Sequence, residues 1–249
     1  MVMAADDKVG SLVLGTGSVL RTDLVVLCLG VRPRLRLFEE AGIKTERDGV
    51  VVDDHMRTSA PAVYACGDCT RFASFVTGKA TPGKLATNGI FQGKVAALNA
   101  IGCERVFAGF VNTCVTDVQG LRLGSTGLRE EDAVAAGFGV VIGTGVSRSA
   151  YPMFPESREV KVKLVVERSS ETILGGQVAG YQGIAERLDL IALAIQQRLG
   201  ATDLAKLGHC AHPVQSGVPA HNPIVMAAEN ALHKIEAVQL SGRIGPHAN

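Results

Sequence analysis

Apolar positions along the chain fall into two textures. Up to about residue 105, short apolar runs are broken by glycine and proline turns. Residues 9–14 and 23–29 carry strand patterns, the second an almost unbroken apolar run of the kind buried on both faces of a parallel sheet. Between them, Gly15-Thr16-Gly17 lacks the third glycine of a phosphate loop and leads to a strand, so the pattern predicts a hairpin turn. Residues 35–41 predict a short helix closed by Gly42, and 43–52 a hairpin around Arg47-Asp48-Gly49. Residues 62–65 predict a short strand that stops at Gly67-Asp68. Residues 85–101 carry apolar and small residues at helical spacing, an amphipathic helix stopped by Gly102.

From about residue 107 the pattern changes to alternating strands at 111–118, 121–127, 140–146, 160–166 and 172–177. One short helix, 129–136, lies among them, with Gly137 beyond its end. Longer helices follow at 184–199 and 223–235. Alternating elements followed by a run of strands and then helices predict an α/β segment, 1–105, and then an α+β domain with an antiparallel sheet and flanking helices, 106–249.

The candidate chemistry centres on Ala62-Val63-Tyr64-Ala65-Cys66-Gly67-Asp68. A glycine at the end of a buried strand admits a ligand close to the backbone, and the following aspartate places an acceptor at the carboxyl edge, where open α/β sheets bind cofactors. This stretch resembles the second FAD-binding motif of the pyridine nucleotide-disulfide oxidoreductases, and the similarity runs over almost the whole chain. Gly30-Val31-Arg32-Pro33 resembles the turn at which the NAD(P) domain of that family returns the chain to the FAD domain. Leu174-Gly175-Gly176-Gln177 and Glu186-Arg187-Leu188-Asp189 resemble its dimerisation domain, and the run from Leu85 to Lys94 leans toward its coenzyme A disulfide reductase and NADH oxidase members.

The resemblance implies FAD as cofactor and NAD(P)H as co-substrate, with electrons passing to a disulfide, persulfide, peroxide or oxygen acceptor. It implies that Gly67 and Asp68 meet the FAD, Asp68 on a ribityl hydroxyl. Ala86, Thr87 and Asn88 would lie at a helix amino end aimed at the flavin, whose reduced ring that dipole stabilises. It implies a homodimer and a carboxy-terminal half: the glycine loops and the reactive cysteine belong to an amino-terminal half either cut away or supplied by a separate chain. The catalytic candidate is His212 of His212-Pro213, an acid/base. Val214 and Gly217 depart from the His-Pro-Thr-x-Ser-Glu run of one branch, and Cys210 stands at the tyrosine of the Tyr-Ala-Pro-Pro run of the other. Those departures keep an alternative open, a non-catalytic dimerisation module.

Composition narrows the partners. A net charge of +1 with no long basic block predicts neither nucleic acid nor an anionic membrane as partner. No apolar run reaches the length of a membrane span, and the mixed first residues do not resemble a signal peptide, so the expected location is cytoplasmic. Six scattered cysteines suit reduced thiols. Cys66 and Cys69 have the C-x-x-C spacing of a redox dithiol or half a zinc site, but no second pair lies at ligand spacing; His209, Cys210, His212 and His221 do not make a familiar set, and no metal is expected.

Overall fold

A computed structural model of the chain describes residues 2–5, 8–81 and 83–243, the side chains of 2–5, 8 and 241–243 excepted. The chain divides into two compact units, Met1–Pro33 and Arg34–Asn249.

The first unit holds an antiparallel three-stranded meander, β1 (Val2–Ala5), β2 (Lys8–Val13) and β3 (Val19–Arg21). The glycines between β2 and β3 make the predicted hairpin turn: Leu14 N–H donates to Ser18 O at 2.9 Å, and Gly17 takes φ +87°. The strand predicted at 23–29 does not form. Among the described residues no strand pairs with it, and Leu24, Val26, Leu27, Leu29 and Val31 are all more than 70% exposed. A doubly buried strand needs neighbours on both edges and cover on both faces; apolar composition alone cannot hold one in place.

The second unit opens with α1 (Arg36–Glu40), ended at Gly42, and the tight hairpin of β4 (Thr45–Glu46) and β5 (Gly49–Val50). The strand expected at 62–65 is reduced to one antiparallel bridge, Arg57 to Tyr64. Local side-chain bonds hold that loop instead: Asp53 Oδ1 accepts from the N–H groups of His55 and Arg57 at 2.9 and 2.8 Å. Aspartate favours such turns because its carboxylate competes for nearby backbone donors.

A single 3-10 turn at Gly67–Cys69 then leads toward α2 (Ala86–Ala100). The amphipathic expectation for α2 is inverted. Its buried residues are Asn88, Gln92, Ala96 and Asn99, whereas Ile90, Phe91, Leu98 and Ile101 face outward. The reason is what α2 packs on. Loops carry backbone N–H and C=O groups that no ladder satisfies, so a polar stripe is the face that fits them. Asn99 shows it: Nδ2 donates to the carbonyls of His55 (2.9 Å) and Arg105 (2.8 Å), and Oδ1 accepts from Arg105 N–H at 2.8 Å.

The rest of the unit is one antiparallel sheet of β6 (Cys114–Val118), β7 (Leu121–Gly127), β8 (Val140–Arg148), β9 (Glu159–Glu167) and β10 (Ile173–Gly180), in spatial order β6-β7-β10-β9-β8. α3 (Glu130–Ala135) links β7 to β8. α4 (Ile184–Gln196), the unanticipated α5 (Ala201–Ala205) and α6 (Pro223–Arg243) follow, α6 running eight residues past its predicted end. Alternation sorts β9: Val160, Val162, Leu164 and Val166 enter the core with Leu188, Ile191 and Ile195 of α4 and Ala227, Ala228 and Ala231 of α6. Val165 points the other way and is covered by Ala133 of α3 and Leu174. Aromatic contacts bind the loops to the sheet domain, Phe72 on Phe110 with centroids 4.5 Å apart and Phe107 on Phe110 at 4.6 Å.

Candidate functional site

Gly67 starts the turn between β5 and α2 in the left-handed region, φ +76°, a conformation that favours glycine. Its N–H donates to Gln92 Oε1 at 2.7 Å, and its carbonyl accepts from the Thr70 hydroxyl at 2.8 Å. Gln92 is 1% exposed and also accepts from the Thr70 hydroxyl, at 3.1 Å, so one buried amide oxygen sets the turn against α2. The backbones meet closely: a Cβ built on Gly89 would lie 3.4 Å from Gly67 Cα. On the other side Lys84 Nζ donates to the carbonyls of Asp68, Asp48 (3.2 Å) and Thr70 (3.4 Å), and lies 4.9 Å from the Phe72 ring centroid. The Arg47-Asp48-Gly49 hairpin reaches this cluster because Gly49 lies against the Thr70 backbone, 2.3 Å from a built Cβ to Thr70 C.

The turn leaves the Asp68 carboxylate exposed, with no partner among the described residues. Ala86 and Thr87 are exposed in the first turn of α2. That turn has no side-chain cap, and its first N–H groups have no intrahelical acceptor. Asn88 differs from the expectation: it is buried, and Nδ2 donates to Gly83 O and Asn112 Oδ1, both at 3.1 Å. The structure thus brings Gly67, Asp68 and the start of α2 together, with Asn88 tying the preceding loop.

His212 lies elsewhere, in the loop between α5 and α6, and no hydrogen bond or ion pair among the described residues joins it to the Gly67 turn. The loop folds on itself: His212 N–H donates to Ser216 Oγ at 2.8 Å, and Ser216 N–H returns to His212 O at 3.0 Å. The ring is exposed, and Nδ1 accepts from Val214 N–H at 3.3 Å, which leaves the proton of the neutral ring on Nε2. Gly217 has no room for a side chain, since a built Cβ would stand 2.7 Å from Arg148 O. The glutamate of the His-Pro branch therefore has no seat there.

Among the described residues His209, Cys210, His212 and His221 do not converge, and both His209 nitrogens lie at carbonyls, Leu207 O (3.1 Å) and Pro219 O (3.0 Å). Asp53, Asp54 and His55 do place ligand atoms within 4.8 Å of one another; Asp53 Oδ1 is the turn acceptor described above, and Asp54 Oδ1 lies 2.8 Å from His55 Nδ1. A groove of about 730 Å3 opens on the five-stranded sheet beside Leu123, Val146, Lys161 and Gln177; none of the predicted site residues lines it.

Two models of one family match the chain in succession: pyridine nucleotide-disulphide oxidoreductase over residues 1–93 and its dimerisation domain over 113–223. The chain belongs to the pyridine nucleotide-disulphide oxidoreductase family. An NADH oxidase of Methanocaldococcus jannaschii is 33% identical over 219 residues, 88% of this chain and 48% of that protein. A CoA-dependent NAD(P)H sulfur oxidoreductase of Pyrococcus furiosus is 33% identical over 184 residues, 74% of this chain and 41% of that protein. An NAD-dependent persulfide reductase from A. fulgidus superposes with a TM-score of 0.86 at 30% identity, over 95% of this chain and 44% of its own. The chain spans about half the length of the relatives it matches. Sequence reasoning singled out Gly67 and Asp68 but missed Gln92, Lys84 and Thr70, which hold their turn. Buried polar residues inside a helix pattern were the available signal, and they read as small-residue spacing.

Proposed function

We propose that the chain is the carboxy-terminal half of a FAD-dependent NAD(P)H oxidoreductase that delivers electrons to a disulfide, persulfide, peroxide or oxygen acceptor. The carrying observation is the Gly67–Asp68 turn, held by Gln92 against the uncapped first turn of α2 with the Asp68 carboxylate left open. An unpartnered carboxylate beside free backbone N–H groups suits a polyhydroxylated, anionic cofactor. FAD, when bound, supplies the two-electron relay between nicotinamide and acceptor. The chain's own groups bind and orient: Asp68 accepts from a ribityl hydroxyl, Gly67 permits close backbone approach, and the start of α2 offers Ala86 and Thr87 N–H groups to the ring edge. Asn88 acts through its backbone, its amide being held by Gly83 and Asn112.

Residues 106–249 serve in this reading as the dimerisation domain of a homodimer, and 1–105 as the end of the nucleotide-binding part. Among the described residues the exposed run 24–31 makes almost no hydrogen bonds, and α2 turns Ile90, Phe91 and Leu98 outward, with Ile101 exposed just beyond its end. Apolar surface on that scale fits cover by the amino-terminal half, in the same polypeptide or a separate one. No described helix is long and apolar enough to cross a membrane, and all six cysteines are free thiols, which suits the reducing cytoplasm.

FAD titration followed by flavin fluorescence tests the site. Asp68→Ala is expected to weaken binding about 10- to 100-fold, the loss for a charge-assisted hydrogen bond; equal affinity would remove Asp68 from the site. In enzyme assembled with the glycine-loop half, His212→Ala should cut turnover by about 10²-fold or more if the ring is the acid/base. Unchanged turnover would exclude that role. The second reading, a dimerisation module without redox function, is favoured by one observation, the closed space at Gly217 that denies His212 its carboxylate. A chain that dimerises yet takes up no flavin, alone or with its other half, would establish it.

A further inference from the structure

Cys66 and Cys69 stand at the two ends of the turn that carries Gly67 and Asp68, and the flavin reading uses neither sulfur. Cys66 is the extended residue before the 3-10 turn (φ −149°, ψ 163°), and Cys69 is its last residue. A tight turn of this kind brings its end Cα atoms within about 7 Å, close to the span of roughly 4.4–6.8 Å that disulfides bridge. Cys69 Sγ already lies over its partner's backbone, donating to Cys66 O at 3.3 Å. Both are free thiols, Cys66 exposed and Cys69 half-buried.

We propose that Cys66 and Cys69 form a peroxide-oxidisable dithiol that closes a disulfide across the Gly67–Asp68 turn. The Cys66 sulfur attacks one oxygen of hydrogen peroxide; the O–O bond breaks, Cys66 becomes the sulfenic acid, and the other oxygen leaves as water with the thiol proton. The Cys69 sulfur then attacks the Cys66 sulfur. The S–S bond forms, the S–O bond breaks, and the hydroxyl departs with the Cys69 proton as a second water. Two thiols lose two electrons, and one peroxide is reduced to two waters. Exposure sets the order, because peroxide reaches Cys66 first. Cys69, its thiol pushed up by burial and then by the neighbouring Cys66, stays protonated longer and so does not react first; it resolves the intermediate because its sulfur lies over Cys66. The closed ring would replace the Cys69–Cys66 O hydrogen bond by a covalent staple around the two residues assigned to FAD. Formation of the staple does not depend on that assignment, and it is measured without flavin.

The full chain is treated with hydrogen peroxide, its remaining thiols are blocked with N-ethylmaleimide, and the protein is digested and weighed by mass spectrometry. The expected peptide spanning residues 66–69 is two hydrogens lighter than the dithiol and carries no maleimide. Dithiothreitol before blocking restores two maleimides. In Cys69→Ser, peroxide with dimedone should label Cys66 as the trapped sulfenic acid. Two maleimides after peroxide, Cys66 bridged to any cysteine other than Cys69, or no dimedone adduct in Cys69→Ser would each overturn the proposal.

Discussion

Replacing Gly143 with valine is expected to unseat α6 and to destabilise the sheet domain by about 3 kcal/mol or more, at or above the usual upper end for overpacking. Gly143 and Gly145 lie two apart on β8 and so share a face. A Cβ built on Gly143 would stand 2.0 Å from Ala227 O and 2.9 Å from Ala231 Cβ, and one on Gly145 2.1 Å from Pro223 O. α6 therefore rests on bare backbone. Its contact stripe is small where it meets β8, with Ala227, Ala228 and Ala231 fully buried, and Ile224 and Ile235 anchoring the ends. Valine at 143 has no direction in which to relax, because the obstruction is helix backbone. A fall of roughly 6–12 °C in Tm follows from the size of the domain. A Gly143→Val chain with unchanged Tm would mean that α6 does not pack on β8 in solution.

Gln92→Leu is expected to release the Gly67–Asp68 turn. Leucine keeps most of the volume but removes the Oε1 acceptor, leaving the Gly67 N–H without its partner, while the Thr70 hydroxyl keeps its bond to Gly67 O. An unsatisfied buried donor costs roughly 1–3 kcal/mol. The signature is local: amide exchange at Gly67 should accelerate, and FAD affinity should fall along with that of Asp68→Ala, because the open carboxylate loses its fixed position. Thr70→Val makes the useful comparison, since it removes only the hydroxyl and keeps the Gly67 N–H bond to Gln92. If Gln92→Leu left both Gly67 exchange and thermal stability unchanged, something other than α2 would be setting the turn.

These two positions also mark where the sequence could and could not be read. The alternating strands from 111 onward, α3, α4 and the start of α6 were legible because each buries one face in the period of its own secondary structure. The Gly-x-Gly of β8 was legible in principle, since paired glycines on one face of a strand signal close backbone approach. α5 is five residues long, too short for a periodic stripe to stand out. The polar face of α2 defeated the pattern, because period alone says which residues share a face and not which face is buried.

By itself the sequence determined the family segment, the identity of most elements, and the Gly67–Asp68 turn, because local periodicity, turn residues and a compact motif carry them. Tertiary structure alone decided that 23–29 joins no ladder among the described residues, that Gln92, Lys84 and Thr70 hold the turn, that Asn88 is committed to the loop before α2, and that Gly217 excludes a carboxylate beside His212. Each of those outcomes depends on which distant backbone groups stand opposite a residue, and that is set by the packing of segments far apart in the chain.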